Sequence, residues 1–213
     1  MLSAKRFYGE WLSESYYNFF ELVVVNLFWA FFTALIITAP AAVAGLYYTT
    51  NQLAHQKSIS WRTFFEGFRQ HFWMGWRWAL MNLVAGFLLY VNVSFYGQFD
   101  TQWADFVQGL FITMSVFWAI VQVFTFPLLI EQHDRRLRVA LRNSLVIIMR
   151  RLGFVLGLLL VMIVLILISS LLLWPLWFLI TASLLAYLAN LGTVSVVKDL
   201  SESQVEATEK KDE

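Results

Sequence analysis

The chain has 213 residues, 60% of them hydrophobic and only 14% charged, with a formal net charge of +1. Soluble domains run nearer half apolar and a quarter charged, and a single core of this size cannot bury the excess. That excludes an ordinary soluble domain, a disordered chain and a basic nucleic-acid-binding module, and leaves a chain whose main solvent is lipid. There is no cysteine, hence no disulfide, thiolate metal site or cysteine-linked lipid.

Residues 1–21 carry Lys5, Arg6, Glu10, Glu14 and Glu21. They lack the continuous apolar stretch of a cleavable signal and are expected to lie at the membrane interface. Charged side chains are expensive at the centre of a bilayer, so runs free of Asp, Glu, Lys and Arg mark the spans. Four such runs occur: 22–56, 78–99, 106–130 and 152–197. The last is long enough for two spans, with a turn expected at Pro175 between Trp174 and Trp177. The first is too long for one span and too short for two. Pro40 is expected to kink or break it, giving a span at 22–39 with a continuation to 52. Pro127 is expected to kink the third span. The expectation is an all-α polytopic membrane protein with about five transmembrane helices, at 22–39, 78–99, 106–130, 152–174 and 176–197, in one membrane domain covering 22–197. Residues 198–213 hold six acidic side chains against Lys198, Lys210 and Lys211, and read as a disordered acidic tail.

Basic residues collect in two connectors. Lys57, Arg62, Arg69 and Arg77 lie before the second span, and Arg135, Arg136, Arg138, Arg142, Arg150 and Arg151 lie between the third and fourth. The connections at 97–104 and at Pro175 hold none. The positive-inside rule then places both basic connectors and the C-terminus in the cytoplasm and the N-terminus outside a cell membrane. A first run that re-entered instead of crossing would bring the N-terminus to the cytoplasm as well.

Both connectors read as amphipathic helices. Ser60 suits the N-cap of a helix starting at Trp61, whose aromatic face of Trp61, Phe64, Phe65, Phe68 and Phe72 suits the membrane interface. The second connector places Leu137, Leu141, Leu145 and Ile148 on one face. Its six arginines are expected to meet lipid headgroups or a partner.

Chemistry is sparse. His55, His71 and His133 lie in connectors without metal-ligand spacing, and no nucleophile elbow, P-loop or dinucleotide fingerprint occurs. No catalytic, cofactor-binding or metal residue is expected. A membrane enzyme would have to draw on groups such as His71, Asp100 or Glu131. The polar groups deepest in the spans are neutral: Thr33, Asn82, Asn92, Thr113, Ser115, Gln122, Thr125, Ser169 and Ser170. Gln122 and Asn82 stand out, because buried amides need partners, and helix–helix contact is the expected use.

Several local patterns together resemble the YesL family, small bacterial membrane proteins of uncharacterised activity. They are Asn26-Leu27-Phe28-Trp29 leading to Pro40-Ala41-Ala42 and Leu46-Tyr47-Tyr48; Phe64-Phe65 followed by Phe68; and Phe126-Pro127-Leu128-Leu129 followed by Ala140-Leu141-Arg142-Asn143-Ser144. The resemblance spans roughly 20–197. One departure is visible: the approach to the first proline, Leu35 to Ala39, lacks the family's earlier proline and glycine. The resemblance implies about five membrane helices and company with carbohydrate uptake and its regulation. It implies no catalytic residue. The functional expectation is therefore a non-enzymatic accessory protein, in contact with the bilayer, with transporter or sensor-kinase subunits, or with copies of itself. The alternative is a transporter or permease subunit in its own right, acting as an oligomer.

Overall fold

A computed structural model describes residues 4–132, 134–172 and 175–212. In chain order the helices are α1 (Ala4–Tyr17), α2 (Phe19–Ala34), α3 (Ala39–Ala54), α4 (Trp61–Gln70), α5 (Phe72–Tyr96), α6 (Gln102–Glu131), α7 (Leu137–Arg150), α8 (Leu152–Leu167) and α9 (Ala182–Asp212). Wider π-helical turns at Ile168–Leu172 and Trp177–Thr181 extend α8 and lead into α9. No strand occurs among the described residues. By length and composition four helices can cross a membrane: Phe72–Tyr96, Gln102–Glu131, Leu152–Leu171 and Trp177–Glu202. The count rises to five if α1 and α2, bent by 80° at their junction, form one broken span.

The run 22–56 lies in two 16-residue helices, α2 and α3, that pack against each other around a turn at 35–38. Each limb is about 24 Å long, short of the ~30 Å of bilayer hydrocarbon. Thr38 Oγ1 closes the turn by donating to the Phe32 carbonyl at 2.5 Å, while Ile36 takes a positive φ of 55°. Pro40 falls at the start of α3, where its missing N–H loses no helical bond, so the break comes just before it. Pro127 is accommodated inside the continuous α6. Pro175 sits in the turn between the two π-helical segments.

α3 is the centre of the fold. Ten of its residues are buried, and it packs against α2, α4, α5, α6 and α9. It crosses the foot of the α5–α6 pair: Gly75 faces Pro40 and Ala44, Phe126 meets Tyr47 at 4.8 Å, and Glu131 meets Asn51 at 2.5 Å. Beyond that foot the two helices leave the core. Met74 and Gly75 are the buried residues of α5, and α6 buries Ala104 and then nothing before Val121. The rest of this helical hairpin presents Leu, Phe, Val and Trp side chains outward, as a lipid-facing pair should.

Three segments gain detail in the structure. Helix α9 continues past residue 198 as far as Asp212. Residues 198–212 hold three Glu and three Lys and no Gly or Pro, so intrinsic helix propensity carries the helix onward. The N-terminal segment is not a surface layer alone: α1 buries Phe7 and Trp11, with Phe7 edge-on to Phe154 of α8 at 5.1 Å. The aromatic face of α4 divides: Trp61 stays 51% exposed, while the rings that follow turn toward α2. Phe64 is fully buried and stacks on Phe28 and Phe32, with Phe65 and Phe68 against the same pair. Such pairs contribute about 0.5–1.5 kcal/mol each beyond area burial, so the α2–α3 hairpin is the better solvent for this face.

Candidate functional site

The polar groups gather at the foot of the α5–α6 pair and along the ends of α3 and α9. Glu131 closes α6, where the helix's own partial negative charge opposes a carboxylate. It is held there by α3: Asn51 Nδ2 donates to its Oε1, and His55 Nε2 lies 2.8 Å from the same oxygen. One residue on, Gln56 donates to Glu10 of α1 at 3.2 Å. A cleft of about 490 Å³ opens beside these groups, lined by Arg6, Glu10, His55, Gln56, Lys198 and Asp199 among others. Asp199 bonds Arg151 at the start of α8. Hydrogen bonds and ion pairs thus tie α1 to the end of α3, α3 to α6, and α8 to α9 at one end of the molecule.

His71 sits where α4 passes into α5. It is 2% exposed, its ring lies 5.1 Å from that of Tyr48, and neither ring nitrogen has a hydrogen-bond partner. Burial, and then the nearby Arg135 guanidinium, hold the imidazole down at about 4. It is therefore neutral at physiological pH.

The arginine connector folds as the helix α7. α7 doubles back along α6, with Ser144 Oγ 3.1 Å from Thr125 Oγ1. The expected face is rotated. Ala140, Ser144, Ile147 and Ile148 are buried, while Leu145 turns outward. Small side chains at 140 and 144 let the two helix backbones approach, which the leucine face would prevent. The six arginines divide. Arg135, at a positive φ of 48°, reaches the last carbonyl of α4, that of Gln70, at 3.5 Å. Arg136 pairs with Asp134 at 3.4 Å, and Arg151 with Asp199. Arg138, Arg142 and Arg150 point away from the core without an ion pair among the described residues. The Arg135 contact brings the ends of the two basic connectors together, which their separation in sequence does not reveal.

Inside the spans, the expected amide pair is real. Gln122 Oε1 accepts from Trp78 Nε1 at 2.9 Å and Asn82 Nδ2 at 3.3 Å, and Asn82 Oδ1 accepts from Trp118 Nε1 at 3.0 Å. Ser169 bonds Thr181 and Ser170 accepts from Trp177. Asn26, Asn51 and Asn190 went unremarked as polar centres, although amides inside charge-free runs were the available signal. Asn190 donates to the Tyr47 carbonyl and Thr50 Oγ1, tying α9 to α3. Asp100 lies in the loop between α5 and α6, remote in fold from the Glu131 cluster. His133 lies outside the described residues. Among the described residues no group of three or more His, Asp or Glu side chains is placed to hold a metal. The His55–Glu131 pair is completed by an amide rather than by a nucleophile.

Residues 22–93 match a family model described as a protein of unknown function, DUF624. No curated protein and no solved structure gives a match. The matched third of the chain runs from the first buried residue of α2 through α3 and α4 into α5, the part that builds the foot and its aromatic core. The YesL family is the DUF624 family, and the match is consistent with the resemblance over residues 22–93.

Proposed function

We propose that the protein is an accessory membrane component that assists a transport system, carbohydrate uptake being the class the resemblance implies, or its regulation, without a catalytic step of its own. The observation that carries this reading is the way the two basic connectors converge. Arg135 joins the end of α4 to the start of α7, so the two connectors meet at one place beside the aromatic packing of α4 on α2. The polar groups of the foot are engaged in holding helices together, which suits a platform better than a reaction centre. Extraction in mild detergent with a small C-terminal tag tests it. Stoichiometric transporter or sensor-kinase subunits in the eluate are expected, and their loss in a variant neutralised at Arg62 and Arg69 of α4. Solute flux by the purified protein alone in liposomes would overturn it.

The α5–α6 hairpin favours a second reading, a transporter subunit acting as an oligomer. The pair leaves the core with both helices exposed along most of their length, and Gln122 Nε2 is buried without a partner. A defined homo-oligomer with flux in liposomes would establish that reading.

A further inference from the structure

We propose that the outward face of α7 is a binding surface for the anionic headgroups of the bilayer in which the protein sits. The face is mixed in a specific way. Arg138, Arg142 and Met149 are spaced by four and seven residues and so fall on one side of the helix. Leu145 and Val139 flank them, and Arg150 follows one turn round from Val146. Met149 is 82% exposed, Val139 40% and Leu145 37%, while the opposite side, Ala140, Ser144, Ile147 and Ile148, is consumed by packing in the core. Arginines alternating with exposed apolar side chains match a headgroup layer, where guanidinium groups meet phosphates and the apolar groups reach the acyl boundary.

Charge and tethering single out the bilayer as the occupant. The segment 131–151 carries six arginines against Glu131 and Asp134, a net +4. Three of those arginines are paired or bonded within the chain, which leaves Arg138, Arg142 and Arg150 as net positive charge on the free face. Both ends of α7 are joined to candidate spans, α6 directly before and Leu152–Leu171 directly after. No soluble acidic partner can match the local concentration of a surface to which the helix is already fastened. Each basic residue near an anionic leaflet raises the bound population about fivefold, so three together amount to about a hundredfold.

The absence of cysteine makes the test direct. A Met149→Cys variant carries one environment-sensitive fluorophore on the full chain, reconstituted in vesicles of phosphatidylcholine alone or with phosphatidylglycerol. Nitroxide-labelled lipid is expected to quench the probe in the anionic vesicles at low salt. Quenching is expected to fall by more than half in neutral vesicles, at high salt, or in the Arg138→Gln/Arg142→Gln/Arg150→Gln background. The matching triple Lys variant is expected to retain it, which separates loss of charge from loss of fold. Equal quenching in both vesicle types would overturn the proposal, since the face would then insert without reading charge. Quenching by aqueous iodide in place of lipid, in both vesicle types, would also overturn it, since the face would then stand in water.

Discussion

The side-chain carbonyl of Asn26 accepts the backbone N–H of Ser183 at 2.7 Å, across 157 positions of sequence. The same amide donates to the carbonyls of Trp177 and Phe178 at 2.9 and 2.8 Å. Asn26 is fully buried, so water cannot replace it. The amide thus completes the backbone groups where the π-helical turn passes into α9, and it locks α2 to the end of the last hairpin. Asn26→Leu keeps the volume and leaves one N–H and two carbonyls short of a partner. A loss of about 3 kcal/mol is expected, at roughly 1 kcal/mol or more per bond abandoned in a buried site. Thermal unfolding in detergent measures it, and a change within experimental scatter would show that the junction has other means of satisfying itself.

Two glycines in the spans should answer an added methyl in opposite ways. At Gly75 a Cβ would run into the carbonyl oxygen of Pro40, a backbone atom that cannot rotate aside. Gly75→Ala is expected to destabilise by about 1–3 kcal/mol, as overpacking does, by forcing α5 off α3. At Gly86, on the exposed part of the α5–α6 hairpin, nothing lies within 4 Å. Gly86→Ala is expected to be neutral or stabilising by up to about 1 kcal/mol through helix propensity. The pair of unfolding temperatures, measured in one detergent, tests whether the foot is as closely packed as Pro40 and Gly75 indicate.

His71 gives the fold a pH dependence of definite sign. Its folded value lies near 4, below the ordinary 6.5, because burial and then Arg135 oppose the charged form. Between those two values the unfolded chain binds the proton and the folded chain does not, so stability falls as pH drops through that window and is fully present above it. Unfolding temperatures scanned from neutral to acid should therefore decline. His71→Phe should flatten the decline and be neutral or stabilising at pH 7, because it removes two buried nitrogens without partners and keeps a ring beside Tyr48. An identical decline in the variant would assign the acid sensitivity to other groups.

How much of this was legible follows from the range of the interactions. Charge-free runs located α5, α6, α8 and the start of α9 because exclusion of charge from lipid is local. Ser60 was legible as a cap for the same reason: Thr63 Oγ1 accepts the Ser60 N–H at 3.2 Å, three residues away. The face of α7 is legible in part: Leu137, Leu141 and Ile148 pack in the core, but leucine spacing reports hydrophobicity and does not mark Ala140 and Ser144, which are set by how closely α6 approaches. The α2–α3 hairpin was hidden because its turn holds Leu35, Ile36 and Ile37, apolar branched residues that read as span. Ile36 adopts a left-handed backbone conformation that a β-branched residue disfavours. The Asn51–His55–Glu131 cluster joins residues about 80 apart, which spacing does not reveal.

The same hairpin predicts where the N-terminus lies. Its turn exposes Leu35, Ile36 and Ile37, with Ile36 at 79%, and three bare aliphatic side chains at a helix–helix turn are stable only in hydrocarbon. Its two flanks meet again, since Glu10 of α1 accepts from Gln56 beyond α3. Arg6 and Glu10 share their cleft with Lys198 and Asp199 of α9. The hairpin should therefore enter and leave the bilayer on one side, with α1, the loop 55–60 and the end of α9 on that side together. Single cysteines at Ser13, Ser58 and Ser203 test this in oriented membranes with an impermeant maleimide. All three are expected to react from the same side, and a cysteine at Gln98 from the other. Labelling of Ser13→Cys from the side opposite to Ser203→Cys would mean that the first apolar run crosses after all, as the charge distribution alone suggested.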